Sequence, residues 1–370
     1  MYRVRGVSLA ATTKKEKIKQ IMGRKEDHIR ICLHKPVQSK RVRTLFENVH
    51  LINNSLPELD FNEIDTSTKF LGHDFSAPLM IGAMTGGAEL AGTINRNLAE
   101  AAQETGLGMA VGSQRAGLYD KVLADTYAVT RKRAPNIFIG SNIGGAQISA
   151  GFTVTDGKKL VEMIEADAFY IHLNPAQEVV QPEGDERYRN VLSRIKEFVD
   201  GLDVPVVVKE VGFGISGEVS GKLENAGVSA VEVAGMGGTS YAAVEYYRAQ
   251  SMHMRMKERM GELFWDWGIP TAVALRMASK HTKMPIVSSG GLRTGIDIAK
   301  SIAMGASLTA VAWPLLRPAT MSSDAVKQRL DELVYGLKTA MFLTGCRNIK
   351  ELRSLRYVIT GELKDWEEQI

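Results

Sequence analysis

The chain has 370 residues, 44% of them hydrophobic and 24% charged, with a net charge of only +4. That is an ordinary globular composition, and so small a charge argues against nucleic acid as a partner. Two cysteines, Cys32 and Cys346, make neither a disulfide framework nor a metal cluster and point to a reducing cytoplasm, and no apolar run is long enough to span a bilayer.

Residues 1–77 read as an N-terminal extension. Its first part carries Lys14, Lys15, Lys17 and Lys19 without the apolar core of a secretion signal, and is expected to be loose. From there eight short apolar runs recur, at 78–84, 107–111, 137–142, 168–173, 205–210, 230–234, 285–289 and 308–313. Most are rich in Val, Ile, Ala or Gly and do not alternate with polar residues, as expected of strands covered on both faces. Segments 93–105, 184–200, 217–226 and 295–304 read as helices between them. Strand–helix alternation repeated eight times predicts an α/β fold, a closed (β/α)8 TIM barrel over 78–370, with an open doubly wound sheet as the alternative. Residues 241–281, after strand six, form a long insertion that includes Met252, Met254 and Met256. Insertions of that length usually cover the active site or meet another subunit; taken alone, the Met-rich part reads as a solvated amphipathic helix.

The predicted strand ends carry the chemistry. Strand one ends in Ala83-Met84-Thr85-Gly86-Gly87, and strand two in Gly112-Ser113-Gln114-Arg115. Strand three ends in Asn142. Strand four runs into His172-Leu-Asn174-Pro-Ala-Gln177-Glu178, a polar cluster for which a core has little use. Strand five closes on Lys209 after three valines, placed either for a site or for an ion pair with Glu210 or Glu232. Strand six ends in Gly237-Gly238-Thr239. Strand seven ends in Ser289-Gly290-Gly291-Leu292-Arg293-Thr294-Gly295, and strand eight in Ala312-Trp313. Glycines that expose amides, a following helix N-terminus and an arginine make a phosphate cradle where barrels of this type commonly have one. Each end alone also suits a tight turn; together they line one rim.

A phosphate cradle at strands seven and eight, a lysine at strand five and a Gly-rich shelf at strand one suit flavin mononucleotide (FMN). The flavin ring would lie above Met84 and Thr85. Arg24, Lys25 and His28 concentrate charge ahead of the barrel. They read either as a solvated helix start or, with Ser113, Arg115 and Asn174, as a grip on a diphosphate. Glu178 beside such a group suits Mg²⁺.

From about Gly23 onward these motifs, Arg24-Lys25-x-Asp27-His28 and the strand ends above, resemble the type 2 isopentenyl-diphosphate isomerases. The resemblance implies interconversion of isopentenyl and dimethylallyl diphosphate with reduced FMN, Mg²⁺ and NADPH as reductant, in a homo-oligomer of four or eight chains. It implies that Arg24, Lys25, His28, Ser113, Gln114, Arg115 and Asn174 hold the diphosphate and that Glu178 binds the metal. Ala83, Met84, Thr85, Ser113, Asn142, Lys209, Thr239, Gly291, Leu292, Arg293, Ala312 and Trp313 would hold FMN. His172, Gln177 and Lys209 would serve catalysis, Gln177 at the reacting end of the substrate. The alternatives are an FMN-dependent oxidoreductase of a small acid or phosphorylated substrate, and a non-catalytic phospholigand-binding barrel.

Overall fold

A computed structural model describes residues 14–370, with side chains from Gln20 onward. The expected loose segment before residue 14, and the side chains of Lys14, Lys15, Lys17 and Lys19, lie outside the described residues. Eight strands, β1 (Leu79–Ile81), β2 (Gly108–Ala110), β3 (Ile139–Gly144), β4 (Ala168–His172), β5 (Val206–Lys209), β6 (Ala230–Glu232), β7 (Ile286–Ser289) and β8 (Leu308–Val311), pair in parallel and close on themselves. The closed barrel expected from the sequence is therefore present, and the open sheet is excluded.

The strands are largely apolar because both of their faces are buried, with polar residues such as Asn142, His172, Lys209, Glu232 and Ser289 gathered toward their C-terminal ends. Side chains alternate across a strand, so Met80, Tyr170 and Val207 fill the barrel interior while Leu79, Ile81, Phe169, Ile171, Val206 and Val208 meet the surrounding helices. The N-terminal end of the barrel is plugged. A hairpin of Thr68–Phe70 and His73–Phe75 brings Phe70 and Phe75 against Phe138, with ring centroids 5.7–5.9 Å apart. That leaves the C-terminal rim as the open end. The extension is tied to the chain's other end through Val49–Leu51, paired antiparallel with Tyr357–Ile359.

Two expected elements differ in extent. The helix expected over 184–200 begins only at Val191. A Cβ on Gly184 would lie 1.7 Å from the Glu178 carbonyl oxygen, so the chain there is a loop pressed against the site. Of the expected insertion, Tyr241–Ser251 and Arg255–Leu263 are two helices packed on each other. The third helix, Thr271–His281, packs on β7 and on helix Gly217–Asn225 as the outer layer of the barrel does elsewhere.

Candidate active site

The open rim leads into a cavity that offers about 250 Å³ to the centres of water-sized molecules. Every expected site residue except Gln114 lines it. Strand register explains much of the convergence: His172 at the end of β4 pairs with Lys209 of β5, and Lys209 pairs with Glu232 of β6. Three strands thus deliver an imidazole, an ammonium and a carboxylate side by side.

Gln114 is a correction. It is fully buried; its amide nitrogen donates to the Leu160 carbonyl at 3.0 Å, and its oxygen accepts from the Ser141 hydroxyl and the Asn142 amide at 2.6 and 2.9 Å. With both ends of the amide engaged, Gln114 braces β3 beneath the rim and does not face the cavity.

On the floor, the Lys209 ammonium donates to the Glu210 backbone carbonyl and lies 3.7 Å from Glu232 Oε1. The Glu210 carboxylate does not pair with it. Loop amides of Val211 and Gly212 hold that group at 2.6 and 2.7 Å, and burial pushes it up to about 7. Glu232 Oε1 accepts from the Ser289 hydroxyl at 2.7 Å, whereas its Oε2 is buried with no hydrogen-bond partner. An orphaned carboxylate oxygen of that kind costs free energy unless something else meets it. His172 lies 2.7 Å from Asn142 through Nδ1. Burial, then Lys209, Lys25, Arg24 and Arg115, push the ring down to about 3. It is therefore neutral near pH 7; with the Asn142 carbonyl accepting from Nδ1–H, Nε2 is left as an acceptor.

The far end of the cavity is a glycine cradle. A Cβ on Gly238 would lie 2.5 Å from the Gly291 nitrogen, and one on Gly291, whose φ is +74°, would meet the Gly237 carbonyl at 2.7 Å. Only glycines let the ends of β6 and β7 touch in this way. Thr294 and Asp297 form a capping box on the helix that follows, and Asp297 accepts from the amides of Arg293 and Thr294 at 3.0 and 2.9 Å. The Arg293 amide is thus engaged, and what that residue offers an anion is its guanidinium. That group donates to Gln38 at 2.6 Å and lies over the Trp313 ring, while Gln38 donates to Thr239 at 3.2 Å.

The cavity roof is helix Lys14–His34. Ile21, Arg24, Lys25, His28, Ile29 and Cys32 all line the space, a spacing that places them on one helical face. Lys25 Nζ donates to the Ser113 carbonyl at 2.9 Å and to the Tyr127 hydroxyl at 3.0 Å. Burial, then Arg24 and Arg115, push its ammonium down to about 7. Cys32 is in the cavity although it lies on no strand end; burial, then Glu245, push its thiol up to about 12, so it is no thiolate nucleophile.

The third wall is helix Pro175–Val180. Asn174, Gln177, Glu178 and Gln181 sit on one face of it. Glu178 accepts from Asn174 at 3.2 Å, from Gln181 at 3.3 Å and from the Asp185 amide at 2.7 Å, and burial pushes it up. No group of three His, Cys, Asp or Glu suited to a metal exists among the described residues. A single buried carboxylate still fits the mode in which Mg²⁺ takes one or two carboxylates together with substrate phosphates and waters.

Several residues here were not anticipated. Glu245 of helix Tyr241–Ser251 accepts from His28 at 2.8 Å, from Gln177 at 3.1 Å and from Arg248 at 2.8 Å. Burial alone would raise its carboxyl; His28 and Arg248 hold it down at about 2. Gln147 and Tyr241 also line the cavity. One signal for Glu245 was available in the sequence: with Arg248 it interrupts the alanine face formed by Ala242 and Ala249, and charges on an apolar helix face need partners.

The floor, cradle and shelf fit FMN. Lys209 and Glu232, the glycine cradle with Arg293, and Ala83, Met84 and Thr85 line one continuous cavity, and the Glu232 Oε2 beneath it has no hydrogen-bond partner. Among known proteins, the family model described as FMN-dependent dehydrogenase matches residues 19–136 and 174–358. A mandelate oxidase mutant with an FMN adduct superposes with a TM-score of 0.62 at 17% identity, over 93% of this chain and 100% of that one. That likeness establishes the fold. An isopentenyl-diphosphate delta-isomerase of Archaeoglobus fulgidus is 46% identical over 344 residues, 93% of this chain and 97% of that protein. Its counterparts in Halobacterium salinarum and Pyrococcus furiosus are each 45% identical, covering 95% and 94% of this chain and 97% and 89% of theirs. The chain belongs to the FMN-dependent dehydrogenase family and, within it, to the flavin-dependent, type 2 isopentenyl-diphosphate delta-isomerases.

Proposed function

We propose that this cavity interconverts isopentenyl and dimethylallyl diphosphate. The reading is carried by one observation: Arg24, Lys25 and His28 of the roof helix, Arg115 from the turn after β2, and a floor of His172, Lys209 and Glu232 line the same cavity. The first set suits a diphosphate and the second a planar cofactor.

The reaction adds a proton at one carbon of the alkene and removes one from another, so no electrons are exchanged overall. Reduced FMN, when bound, supplies an electron-rich ring face and a ring nitrogen for acid–base exchange. Gly291, Leu292, Arg293, Thr239, Ala312 and Trp313 would hold its phosphate, with Ala83, Met84, Thr85, Ser113 and Asn142 against the ring. Lys209 fixes positive charge on the floor and favours an anionic reduced ring. Neutral His172 accepts at Nε2 and orients through Asn142. Gln177, held by Glu245 and Asn174, faces the reacting carbons. Arg24, Lys25, His28, Arg115 and Asn174 grip the diphosphate by charge-assisted hydrogen bonds. Glu178 would hold Mg²⁺ against the same phosphates, where the cation offsets the cost of a buried carboxylate. The roof helix over the cavity excludes water from an intermediate with carbocation character.

NADPH as the reductant of the flavin, a homo-oligomer of four or eight chains, and a cytoplasmic setting consistent with two buried free cysteines complete the reading. Among the described residues no helix is long and apolar enough to cross a membrane. The test is anaerobic incubation of the purified protein with labelled isopentenyl diphosphate, FMN, Mg²⁺ and NADPH. Formation of dimethylallyl diphosphate supports the reading. A protein that retains FMN but forms no product, or that oxidises a hydroxy acid instead, refutes it.

A further inference from the structure

Arg248 lies on no strand end and does not line the cavity, yet its side chain is only 4% exposed. A buried guanidinium is costly unless it is fully paired, and this one gathers carboxylates from three elements. On its own helix, Nη1 donates to Glu245 Oε2 at 2.8 Å. From the loop after helix Pro175–Val180, Glu183 accepts from Nη1 and Nη2 at 3.2 and 2.7 Å. From the roof helix, Asp27 Oδ2 lies 3.7 Å from Nε, which has no hydrogen-bond partner.

Two of these elements carry residues that line the cavity. The roof helix bears Arg24, Lys25 and His28; helix Pro175–Val180 bears Gln177 and Glu178. Glu245 stands between them, since its Oε1 accepts from both His28 and Gln177. With Oε2 held by Arg248, the carboxylate has one orientation in which Oε1 meets both partners. The planar fork of arginine suits this bridging, whereas a lysine ammonium would reach one carboxylate at a time.

We propose that Arg248 is a positioning residue: it fixes the Glu245 carboxylate and, through it, the Gln177 amide and the His28 ring over the cavity. The proposal rests on the reading that Gln177 faces the reacting carbons. It assigns the two-helix insertion a role in holding roof and wall in register.

The test is a double-mutant cycle on the holoenzyme. Arg248→Lys is made in the natural background and in Gln177→Ala, with kcat, KM and the thermal midpoint measured for each. Coupled residues give non-additive losses. Arg248→Lys is expected to lower kcat about tenfold or more in the natural background and less than about twofold in Gln177→Ala, while the fall in thermal midpoint is the same in both. Glu183→Gln, a milder change at the edge of the cluster, is expected to lower kcat in the same direction with FMN retention unchanged. A merely structural role would give equal fractional losses of kcat in both backgrounds, and that result overturns the proposal. So does an unaltered kcat in Arg248→Lys, which leaves the Gln177 reading intact. An unaltered kcat in Gln177→Ala alone removes the Gln177 reading and this proposal with it.

Discussion

Lys25 gives the most direct handle on the cationic roof. Its ammonium sits in the cavity against the Ser113 carbonyl and the Tyr127 hydroxyl, with burial and the charges of Arg24 and Arg115 pushing it down to about 7. In the free enzyme near neutral pH, Lys25 therefore divides between ammonium and amine. A diphosphate is bound by the ammonium. Below about 7 the charged form predominates and affinity is flat; as pH rises through about 7 a proton must be taken up with the substrate. Affinity then falls by up to about tenfold per pH unit, or about 1.4 kcal/mol, until the raised value in the complex is reached. The variant Lys25→Arg keeps its charge throughout, because a guanidinium does not titrate in this range. The substrate's own phosphate ionisation acts equally on both enzymes, so the difference between them isolates Lys25. KM for isopentenyl diphosphate, followed from about pH 6 to about pH 9, is expected to climb more steeply for the natural enzyme than for Lys25→Arg. Parallel curves would refute a titrating Lys25 in the diphosphate grip.

Glu178→Gln is expected to abolish Mg²⁺-dependent turnover while FMN stays bound; full activity with Mg²⁺ would remove the metal assignment. Lys209→Ala takes the positive charge from the floor and is expected to weaken binding of reduced FMN relative to oxidised FMN, read as a lowered flavin potential; an unchanged potential counts against the role. Gly291→Ala places a Cβ 2.4 Å from Thr44 Cγ2 and 2.7 Å from the Gly237 carbonyl at a φ of +74°. Left-handed backbone and overpacking each cost on the order of 1–3 kcal/mol, so FMN affinity in a fluorescence titration is expected to fall at least about tenfold as the loop yields. An unaltered dissociation constant would mean that the cradle is not where the cofactor binds.

The barrel was legible because both faces of each strand are buried, which leaves runs such as Val206-Val207-Val208 with no polar alternation to confuse. Strand-end residues were legible for the same reason: His172 and Lys209 stand out against apolar neighbours. What was not legible depends on contacts between elements distant in sequence. Gln114 reads like its neighbours Ser113 and Arg115, but the first turn after β2 rotates it inward onto Leu160 and Ser141. Glu245 and Arg248 sit in an insertion expected to cover the site or meet another subunit, but their partners come from the roof helix and the 181–190 loop, far away in sequence. The helix expected from 184 failed because the chain is pulled onto Glu178, where Asp185 and Tyr188 serve the site as loop residues. Gln38, which links Arg293 to Thr239, lies in an extension with no local pattern to mark it.

This cavity moves a proton and leaves redox state unchanged. The most direct measurement is anaerobic turnover of isopentenyl diphosphate in D₂O by enzyme loaded with a known amount of reduced FMN, followed by NMR of the product and by the flavin spectrum. The expected result is dimethylallyl diphosphate carrying solvent deuterium, in many-fold excess over flavin that remains reduced. Product formed in step with flavin oxidation, or none without a consumed oxidant, would contradict the account.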